Sequence, residues 1–377
     1  MPTTGSTAAP VRGPAAQPAD VPLYEKHRRG SRPVLRFFLR FFTVLFITIL
    51  LLLFAVYGVM YVLACGPSPT ARRLFVMSVR ETSAAYFLAD WFLTPEEIAE
   101  IESSGASTPE PEDTDASLIQ IGAAGVADGG KDDDDGTDGY GLVDDDGDGI
   151  ILEAITGSGY LGNLIVVLDP ERMSFGTPSS FGGSGLTLNQ MAVQYDCVAG
   201  INGGGFYDPD GHGTGGIPIG MTIVDGKISY ATEGTSYPFV GFDGDYILHT
   251  GKMTPDQARE KDIRFGCSFG PVLVSNGEPA SFDILSSGVN PRTAIGQRAD
   301  GAVLLLVIDG RQARSLGATY SDLADIMLQY GAVNACNLDG GSSSGMWFNG
   351  EYINSRASLL GDRPIPTAFL VKKEAQE

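Results

Sequence analysis

The sequence is poor in cysteine, histidine and basic side chains. Its 377 residues include 4 cysteines, 3 histidines and 25 lysines and arginines, against 46 aspartates and glutamates. So few cysteines exclude a small disulfide-rich scaffold. Only His212 and His249 follow the first thirty residues or so, which is too few for a histidine-based zinc cluster. The formal net charge of -21 argues against nucleic acid as a partner, and the 43% hydrophobic content excludes a wholly disordered chain.

Charge is also absent from a long apolar run near the amino terminus. No charged residue occurs between Arg40 and Arg72, and residues 41–64 are almost continuously apolar. As a helix, this run would span about 36 Å, enough to cross a hydrocarbon core of about 30 Å. We therefore predict a transmembrane helix, with a cleaved signal peptide as the alternative. Basic residues in 1–40 predict a cytoplasmic tail, a single-pass cell-membrane protein and an extracellular remainder.

Two segments of contrasting composition follow this run. Residues 65–102 place apolar side chains at helical spacing, which predicts a juxtamembrane amphipathic helix. Residues 103–149 are rich in Gly, Asp, Glu, Ser, Thr and Pro, which predicts a disordered acidic linker acting as a solvated tether.

The end of the acidic segment resembles part of a calcium loop. Asp144, Asp146 and Asp148, followed by Gly149, reproduce the first half of the motif. The twelfth position, where a bidentate glutamate closes such a loop, is Ile155. A weak calcium site and a plain acidic linker therefore both remain open.

From residue 150 the sequence is typical of a globular domain. Short apolar runs punctuated by Gly, Asn and Asp predict strands, and residues 186–195 and 321–330 predict helices. Each helix precedes an apolar strand that ends in a glycine cluster. We therefore predict an α+β domain over residues 150–377, a mixed β-sheet with packed helices, in which the two clusters face one pocket.

Three motifs carry residues suited to chemistry: N-G-G-G-F-Y-D at 202–208, N-P-R-T-A-I-G at 290–296 and N-L-D-G-G-S-S-S at 337–344. Glycines directly after a strand allow close approach of a ligand and can present N–H groups to an anion. The guanidinium of Arg292 could hold a phosphate with two hydrogen bonds. Asp339 offers a carboxylate for acid–base or electrostatic work. Together the motifs predict a site for a phosphorylated, hydroxyl-rich ligand.

With these motifs in order, together with F-G-P-V-L-V at 269–274, I-D-G-R-Q at 308–312 and R-P-I-P-T-A at 363–368, residues 150–372 resemble the phosphodiester glycosidase family. Bacterial members are often described as exopolysaccharide-related. The resemblance implies hydrolysis at the anomeric carbon of a sugar whose leaving group is a phosphodiester. Such a leaving group needs little protonation and mainly needs its charge held.

The candidate catalytic residues are Asp339, Asp309 and Arg292. Asp309 would be the second carboxylate that glycosidases often use, although a turn aspartate before a glycine fits equally well. The candidates for substrate binding are Asn202, Gly203, Gly204, Gly205, His212, Thr293, Gly340, Gly341, Ser342 and Ser343. The first expectation is that no cofactor is required, while calcium or magnesium held by Asp208, Asp210 or Asp339 remains open.

We therefore expect a membrane-anchored extracellular hydrolase that acts on sugar phosphodiesters or phosphoglycans of the cell envelope or extracellular glycans. A non-catalytic phosphoglycan-binding module and an exopolysaccharide-assembly protein are the alternatives. Cys197, Cys267 and Cys336 are expected to be buried thiols, with a disulfide between Cys197 and Cys336 as the alternative. The sequence leaves the sugar, the aglycone and the oligomeric state open.

Overall fold

A computed structural model describes residues 32–80, 85–104, 113–122, 140–208, 213–282, 288–358 and 361–374. It divides into two units, Met1–Gly58 and Val59–Glu377, which are described separately. Most of the first unit's described part belongs to helix α1 (Arg32–Cys65), which is long and apolar enough to cross a membrane. A signal sequence near the amino terminus would have the same character, so the structure supports one candidate span, and its orientation stays a prediction.

Three short helices occupy the segment that was predicted to be one amphipathic helix. They are α2 (Pro69–Arg80), α3 (Phe87–Asp90) and α4 (Pro95–Ser104). Proline is tolerated in the first turn of a helix, and α4 begins at one. Thr94 and Glu97 exchange backbone-to-side-chain hydrogen bonds there, which fixes the start of α4. The helices enclose a small core of their own, formed by Val76, Ala89, Leu93 and Ile98.

The globular domain contains helices α5 (Leu188–Gln194), α6 (Pro255–Glu260) and α7 (Tyr320–Gln329). Its strands are β1 (Ile150–Gly157), β2 (Tyr160–Val167), β3 (Met173–Gly176), β4 (Cys197–Asn202), β5 (Thr222–Val224), β6 (Lys227–Tyr230), β7 (Tyr237–Phe242), β8 (Leu248–Met253), β9 (Phe265–Cys267), β10 (Val272–Ser275), β11 (Glu278–Pro279), β12 (Arg292–Arg298), β13 (Val303–Ile308), β14 (Ala332–Leu338), β15 (Met346–Phe348), β16 (Glu351–Tyr352) and β17 (Ala368–Lys372).

The strands form three sheets with antiparallel neighbours. A seven-stranded sheet has the order β1-β2-β13-β12-β14-β10-β11, and two five-stranded sheets have the orders β16-β15-β4-β17-β3 and β6-β5-β9-β7-β8. One core cluster joins side chains from all three sheets. Helix α7 packs on the opposite face of the seven-stranded sheet, and α5 packs beside β4, β15 and β17. The predicted α+β class is confirmed.

The two predicted helices are confirmed with small shifts at their ends. Helix α5 begins at a capping box made by Thr187 and Gln190, and α7 at one made by Thr319 and Asp322. Such boxes satisfy the first free N–H groups of a helix. Each helix leads into a strand, β4 or β14, that ends in a glycine cluster, so the ends of these two strands carry the candidate site.

Parts of the acidic segment differ from the solvated tether that the composition predicts. Within residues 113–122, Ile119 is buried, and the Gln120 N–H donates to the carbonyl of Ala299 at 2.8 Å. Within residues 140–149, the ring of Tyr140 lies 4.2 Å from the guanidinium carbon of Arg298. These side chains find partners on the domain that average composition does not reveal. Residues 105–112 and 123–139 lie outside the described residues, so the linker remains a prediction there.

Candidate functional site

The ends of β4 and β14 meet at a small polar pocket. Its volume is about 170 Å³, and it is lined by Gly205, Phe206, Asp208, Ile219, Phe269, Asp339, Gly340, Gly341, Ser342, Ser343 and Arg363. Six of the residues predicted from the sequence therefore come together here: Gly205, Asp339, Gly340, Gly341, Ser342 and Ser343.

Asn202 ties the strand ends together from below the pocket. Its side chain is buried, and Oδ1 accepts hydrogen bonds from Thr293 Oγ1 at 2.9 Å and from the Gly345 N–H at 3.0 Å. Its Nδ2 donates to the backbone carbonyl of Asp339 at 2.6 Å. Both ends of the amide are thus engaged within the protein. The side chains of Asn202 and Thr293, which are predicted to bind substrate, are buried here and hold the loop that carries Asp339.

The pKa of the Asp339 carboxyl group is raised toward neutral pH. Burial raises the pKa of Asp339 to about 6, because the protein replaces much of the water that would solvate the anion. Hydrogen bonds from Ser343 and the Gly340 backbone and the charge of Arg363 oppose this rise, while Asp208 adds to it. A carboxyl that titrates near neutral pH in a pocket is suited to acid–base chemistry.

Arg363 is the arginine that reaches this pocket. Its Nη1 donates to Ser342 Oγ at 2.8 Å, and Nη2 lies 2.5 Å from Asp208 Oδ2. The guanidinium carbon lies 4.9 Å from the centre of the Phe206 ring. A guanidinium held in this way has a fixed orientation for a phosphate. Neither Arg363 nor the pairing of Asp208 with it was singled out from the sequence, although both residues lie in motifs that carry the family resemblance.

Arg292 lies on the face of the seven-stranded sheet that packs against helix α7, opposite to the face that carries Thr293 and Asn202. Its side chain is buried, its Nε donates to the carbonyl of Ala318 at 3.2 Å, and its guanidinium carbon lies 4.4 Å from the centre of the Tyr320 ring. Side chains alternate between the faces of a strand, so Thr293 faces Asn202 while Arg292 faces helix α7. The structure does not bring Arg292 to the pocket of Asp339, contrary to the prediction that the two residues share one site.

Asp309 is also separate from Asp339. It follows β13, and its Oδ1 accepts a hydrogen bond from the Ser355 N–H at 2.9 Å. Burial raises the pKa of Asp309 above its usual value, and hydrogen bonds from Ser355 and Asn354 oppose the rise. Strand β12 separates β13 from β14, so the two aspartates are two strand spacings apart, roughly 10 Å. Asp309 is not among the residues that line the pocket of Asp339, so a catalytic role for the pair stays a prediction.

The first glycine cluster mainly permits close packing. The Gly203 N–H donates to the Thr367 carbonyl and the Gly204 N–H to Thr367 Oγ1, both at 2.9 Å. A Cβ atom on Gly203 would lie 2.5 Å from Thr367 Oγ1, and one on Gly204 would lie 2.9 Å from the Ser268 carbonyl oxygen. These two N–H groups are thus already engaged and do not form the predicted anion nest.

Two other members of the predicted glycine loops can be placed. The Gly341 N–H donates to the carbonyl of Pro291 at 2.9 Å, which holds the second glycine cluster against the start of β12. Gly205 leaves room for Phe269, whose ring would lie 2.9 Å from a Cβ atom at that position. His212 and Asp210 lie outside the described residues.

The carboxylates of Asp144, Asp146 and Asp148 lie close together, with one oxygen from each within 4.8 Å of the others. Asp144 accepts hydrogen bonds from the N–H groups of Gly147 and Gly149, as in a tight loop. Exposed acidic groups cluster without an ion as well, so calcium here stays a prediction.

All four cysteines are free. Burial raises the pKa of Cys197 to about 11 and that of Cys267 to about 12, and it raises the pKa of Cys336 further still. The alternative disulfide between Cys197 and Cys336 is not formed, because their side chains belong to different core clusters. Thiols with such high pKa values are inert as nucleophiles at neutral pH.

Comparison with known proteins shows what this domain is similar to. Residues 195–372 match the sequence model of the phosphodiester glycosidases. The SPbeta prophage-derived uncharacterized protein YomE of Bacillus subtilis (strain 168) is 30% identical over 200 residues, which cover 50% of this chain and 29% of that protein. The N-acetylglucosamine-1-phosphodiester alpha-N-acetylglucosaminidase of Mus musculus is 27% identical over 217 residues, which cover 52% of this chain and 41% of that protein.

The chain thus spans less than half the length of these two relatives. Among solved structures, the catalytic domain of the zebrafish N-acetylglucosamine-1-phosphodiester alpha-N-acetylglucosaminidase, auto-inhibited by its pro-peptide, aligns with a TM-score of 0.49 at 23% identity. The alignment covers 60% of this chain and 82% of that one. Residues 195–372 of this chain are thus similar in sequence to the phosphodiester glycosidase family.

Proposed function

We propose that the protein is a membrane-anchored extracellular hydrolase that cleaves the glycosidic bond of sugar 1-phosphodiesters in the cell envelope or in extracellular glycans. The observation that carries the proposal is the pocket in which Asp339, with a pKa of about 6, lies beside the ion pair of Arg363 and Asp208. This reaction requires a group for acid–base chemistry and a group that binds the phosphate, and the pocket contains a candidate for each.

Each residue has a role that follows from its surroundings. Arg363 and Ser342 hold the phosphate of the leaving group, and Asp208 fixes the orientation of the guanidinium. Because a phosphodiester is a good leaving group, the demand on Asp339 is at the sugar. Its carboxylate activates a water molecule or stabilises the positive charge that develops at the anomeric carbon.

The test is turnover by the full chain, reconstituted in lipid nanodiscs, on a panel of sugar 1-phosphodiesters. Asp339→Asn is nearly isosteric, and we expect it to lower kcat by about a hundredfold or more, the usual scale for loss of a general base. Asp309→Asn is the matched control, since Asp309 ends the parallel strand two positions away in the same sheet. If Asp309→Asn lowers kcat and Asp339→Asn does not, the catalytic carboxylate is Asp309. Binding without turnover in the wild type would favour a phosphoglycan-binding module.

The role of Arg363 has its own test. Arg363→Ala should cost about 2–4 kcal/mol of transition-state stabilisation, the usual range for a preorganised donor to developing charge. Arg363→Lys keeps the charge but loses the two-pronged geometry, so we expect partial rescue. Arg264→Ala removes an exposed arginine that directly precedes β9, and it serves as the control. An unchanged kcat/KM in Arg363→Ala would remove this residue from the site.

The proposed location rests on the sequence of the first 72 residues and on helix α1. Protease added to intact cells should release a fragment that contains the glycosidase domain and begins within the predicted acidic linker, residues 103–149. Protection of the domain until the cells are lysed would contradict the proposed orientation.

A further inference from the structure

A second, larger cleft adjoins the pocket of Asp339. Its volume is about 540 Å³, and three residues, Gly205, Ile219 and Phe269, line both spaces. The remaining wall of the cleft comes from Gly220, from β7 and β8, and from the segment between β9 and β10 with the first residue of β10. A ligand bound at Asp339 could therefore extend past Phe269 into the cleft without leaving the protein surface.

The cleft differs from the polar pocket in its chemistry. The surface of its walls is mainly apolar and includes Tyr237, Pro238, Pro271 and Val272. Its polar side chains are Lys252 and Ser268, and the Ser268 hydroxyl already accepts a hydrogen bond from the Met221 N–H at 2.6 Å. The Tyr237 hydroxyl accepts a hydrogen bond from the backbone N–H of Thr232 at 2.9 Å. The hydroxyl is thus already engaged, and the ring is the apolar part that Tyr237 contributes to the cleft. A sugar bound here would lose the water around its hydroxyls and gain few hydrogen bonds in return, which is unfavourable. An apolar ligand suits such a surface.

Glycines give the cleft its width. A Cβ atom built on Gly251 would meet no atom within 4 Å, and one on Gly270 would meet only the Cβ of Pro238 at 3.6 Å and the Val272 nitrogen at 4.0 Å. The open space is therefore set by the absence of side chains, and a larger residue at Gly270 would project into it. The cleft, at about 540 Å³, is larger than the pocket of Asp339, at about 170 Å³.

We propose that this cleft is the aglycone subsite and that the natural substrate carries an aliphatic group on the far side of its phosphate. The inference rests on the proposed function, because it assumes that the sugar and phosphate occupy the pocket of Asp339 and Arg363. The phosphate then lies beside the wall shared by Gly205, Ile219 and Phe269, and its second ester bond points into the apolar cleft. The substrate class is a sugar 1-phosphate esterified to an aliphatic alcohol.

The experiment compares two diesters of N-acetylglucosamine 1-phosphate, one with a methyl and one with a hexyl group. Binding is measured calorimetrically to the full-length Asp339→Asn protein in nanodiscs, with empty nanodiscs as the blank for partitioning into lipid. Each methylene that is fully buried contributes a factor of about four in affinity, so burial of two or more gives a preference of at least about tenfold for the hexyl diester. Equal affinities, or no binding of either diester, would overturn the proposal.

Two substitutions in the cleft sharpen the test. Gly270→Leu fills the space, and the near-isosteric Val272→Thr makes its wall more polar while keeping its shape. Both should reduce the preference for the hexyl diester, Gly270→Leu by about tenfold or more if two methylenes lose their burial. Val193→Asn alters an exposed apolar side chain of α5 and should leave the preference unchanged. A hexyl preference that survives both cleft variants would show that the chain binds elsewhere.

Turnover by the wild-type protein separates this inference from the proposed function. Hydrolysis of both diesters with no hexyl preference in binding would support the glycosidase and overturn the aglycone subsite. A hexyl preference that disappears in Gly270→Leu, with no hydrolysis of either diester, would overturn the proposed activity and leave an aliphatic binding cleft.

Discussion

At the residue scale, the site depends on groups that act on Asp339 in opposite directions. Burial disfavours its anion, whereas Ser343, the Gly340 N–H and Arg363 favour it. The result is a carboxyl that is mostly protonated at pH 5 and mostly ionised at pH 7. If the reaction uses the ionised form, its rate must follow this titration.

We expect kcat/KM to fall below about pH 6, by up to tenfold per pH unit, because protonation removes the base. The profile of Asp309→Asn should keep this acidic limb, while the residual activity of Asp339→Asn should lose it. The measurement is kcat/KM on one sugar 1-phosphodiester between pH 4 and pH 8. A profile that stays flat down to pH 4 would contradict the role of Asp339 as a base.

The same pKa predicts a stability effect that needs no substrate. The pKa of Asp339 is about 6 in the folded protein and about 3.9 in an unfolded chain, so the folded state binds the proton more tightly. The stability from this group is fully present below about pH 4 and is lost as the pH rises through about 6. Asp339→Asn should therefore match the wild type at pH 4 and exceed it by at most about 3 kcal/mol at pH 7, measured by denaturant unfolding. A constant difference across this range would mean that the pKa is not raised.

About half of the pocket could be predicted from the sequence, whereas Arg292 does not line it. Asp339 and the glycine–serine loop could be predicted because they directly follow an apolar strand, and the ends of strands are where loops with functional residues meet. The face on which Arg292 lies depends on the register and direction of β12, which one sequence does not specify. Arg363 lies in the motif R-P-I-P-T-A at 363–368, but its neighbours Asp208 and Ser342 are distant in sequence and are brought to it only by folding.

At the element scale, glycine clusters mark the ends of β4 and β14 for different reasons. After β4, Gly203 and Gly204 pack against Thr367 and the end of β9, whereas Gly205 lines the pocket together with the cluster after β14. The sequence predicted both clusters and the helices before them, since capping boxes and apolar runs are local signals. The sequence does not show which glycines pack against neighbouring strands and which line a pocket, because a glycine is compatible with either role.

Gly203→Ala should destabilise the domain. The added Cβ would approach Thr367 Oγ1 to 2.5 Å and the Thr367 carbonyl oxygen to 3.0 Å, and backbone there cannot move aside easily. Overpacking of this kind costs about 1–3 kcal/mol, which corresponds to a fall in Tm of about 2–10 °C in a domain of this size. Gly183→Ala is the control, since a Cβ there meets nothing within 4 Å. Equal Tm values for the two variants would contradict the packing role.

At the scale of the whole molecule, the domain is bordered by segments of very different composition. Composition alone predicted the apolar helix α1 and the acidic stretch after it, because each is a property of many residues together. It could not predict that Ile119 and Tyr140 contact the domain, since single apolar residues in an acidic stretch carry no statistical weight. The described parts of the acidic segment thus contribute contacts of their own to the domain.

Two neighbouring residues allow this attachment to be tested. Ile119 is 5% exposed and Leu118 is 41% exposed, although they are adjacent and of equal size. Ile119→Ala removes buried methyl groups and should cost about 2 kcal/mol or more, which lowers Tm by about 4–8 °C. Leu118→Ala should change Tm by less than about 2 °C, because its side chain already contacts water. If segment 113–122 were a free tether, both variants would melt with the wild type, and the Asp115 and Gln120 amides that donate to Asn276 and Ala299 would exchange their hydrogens at the rate of an unfolded chain.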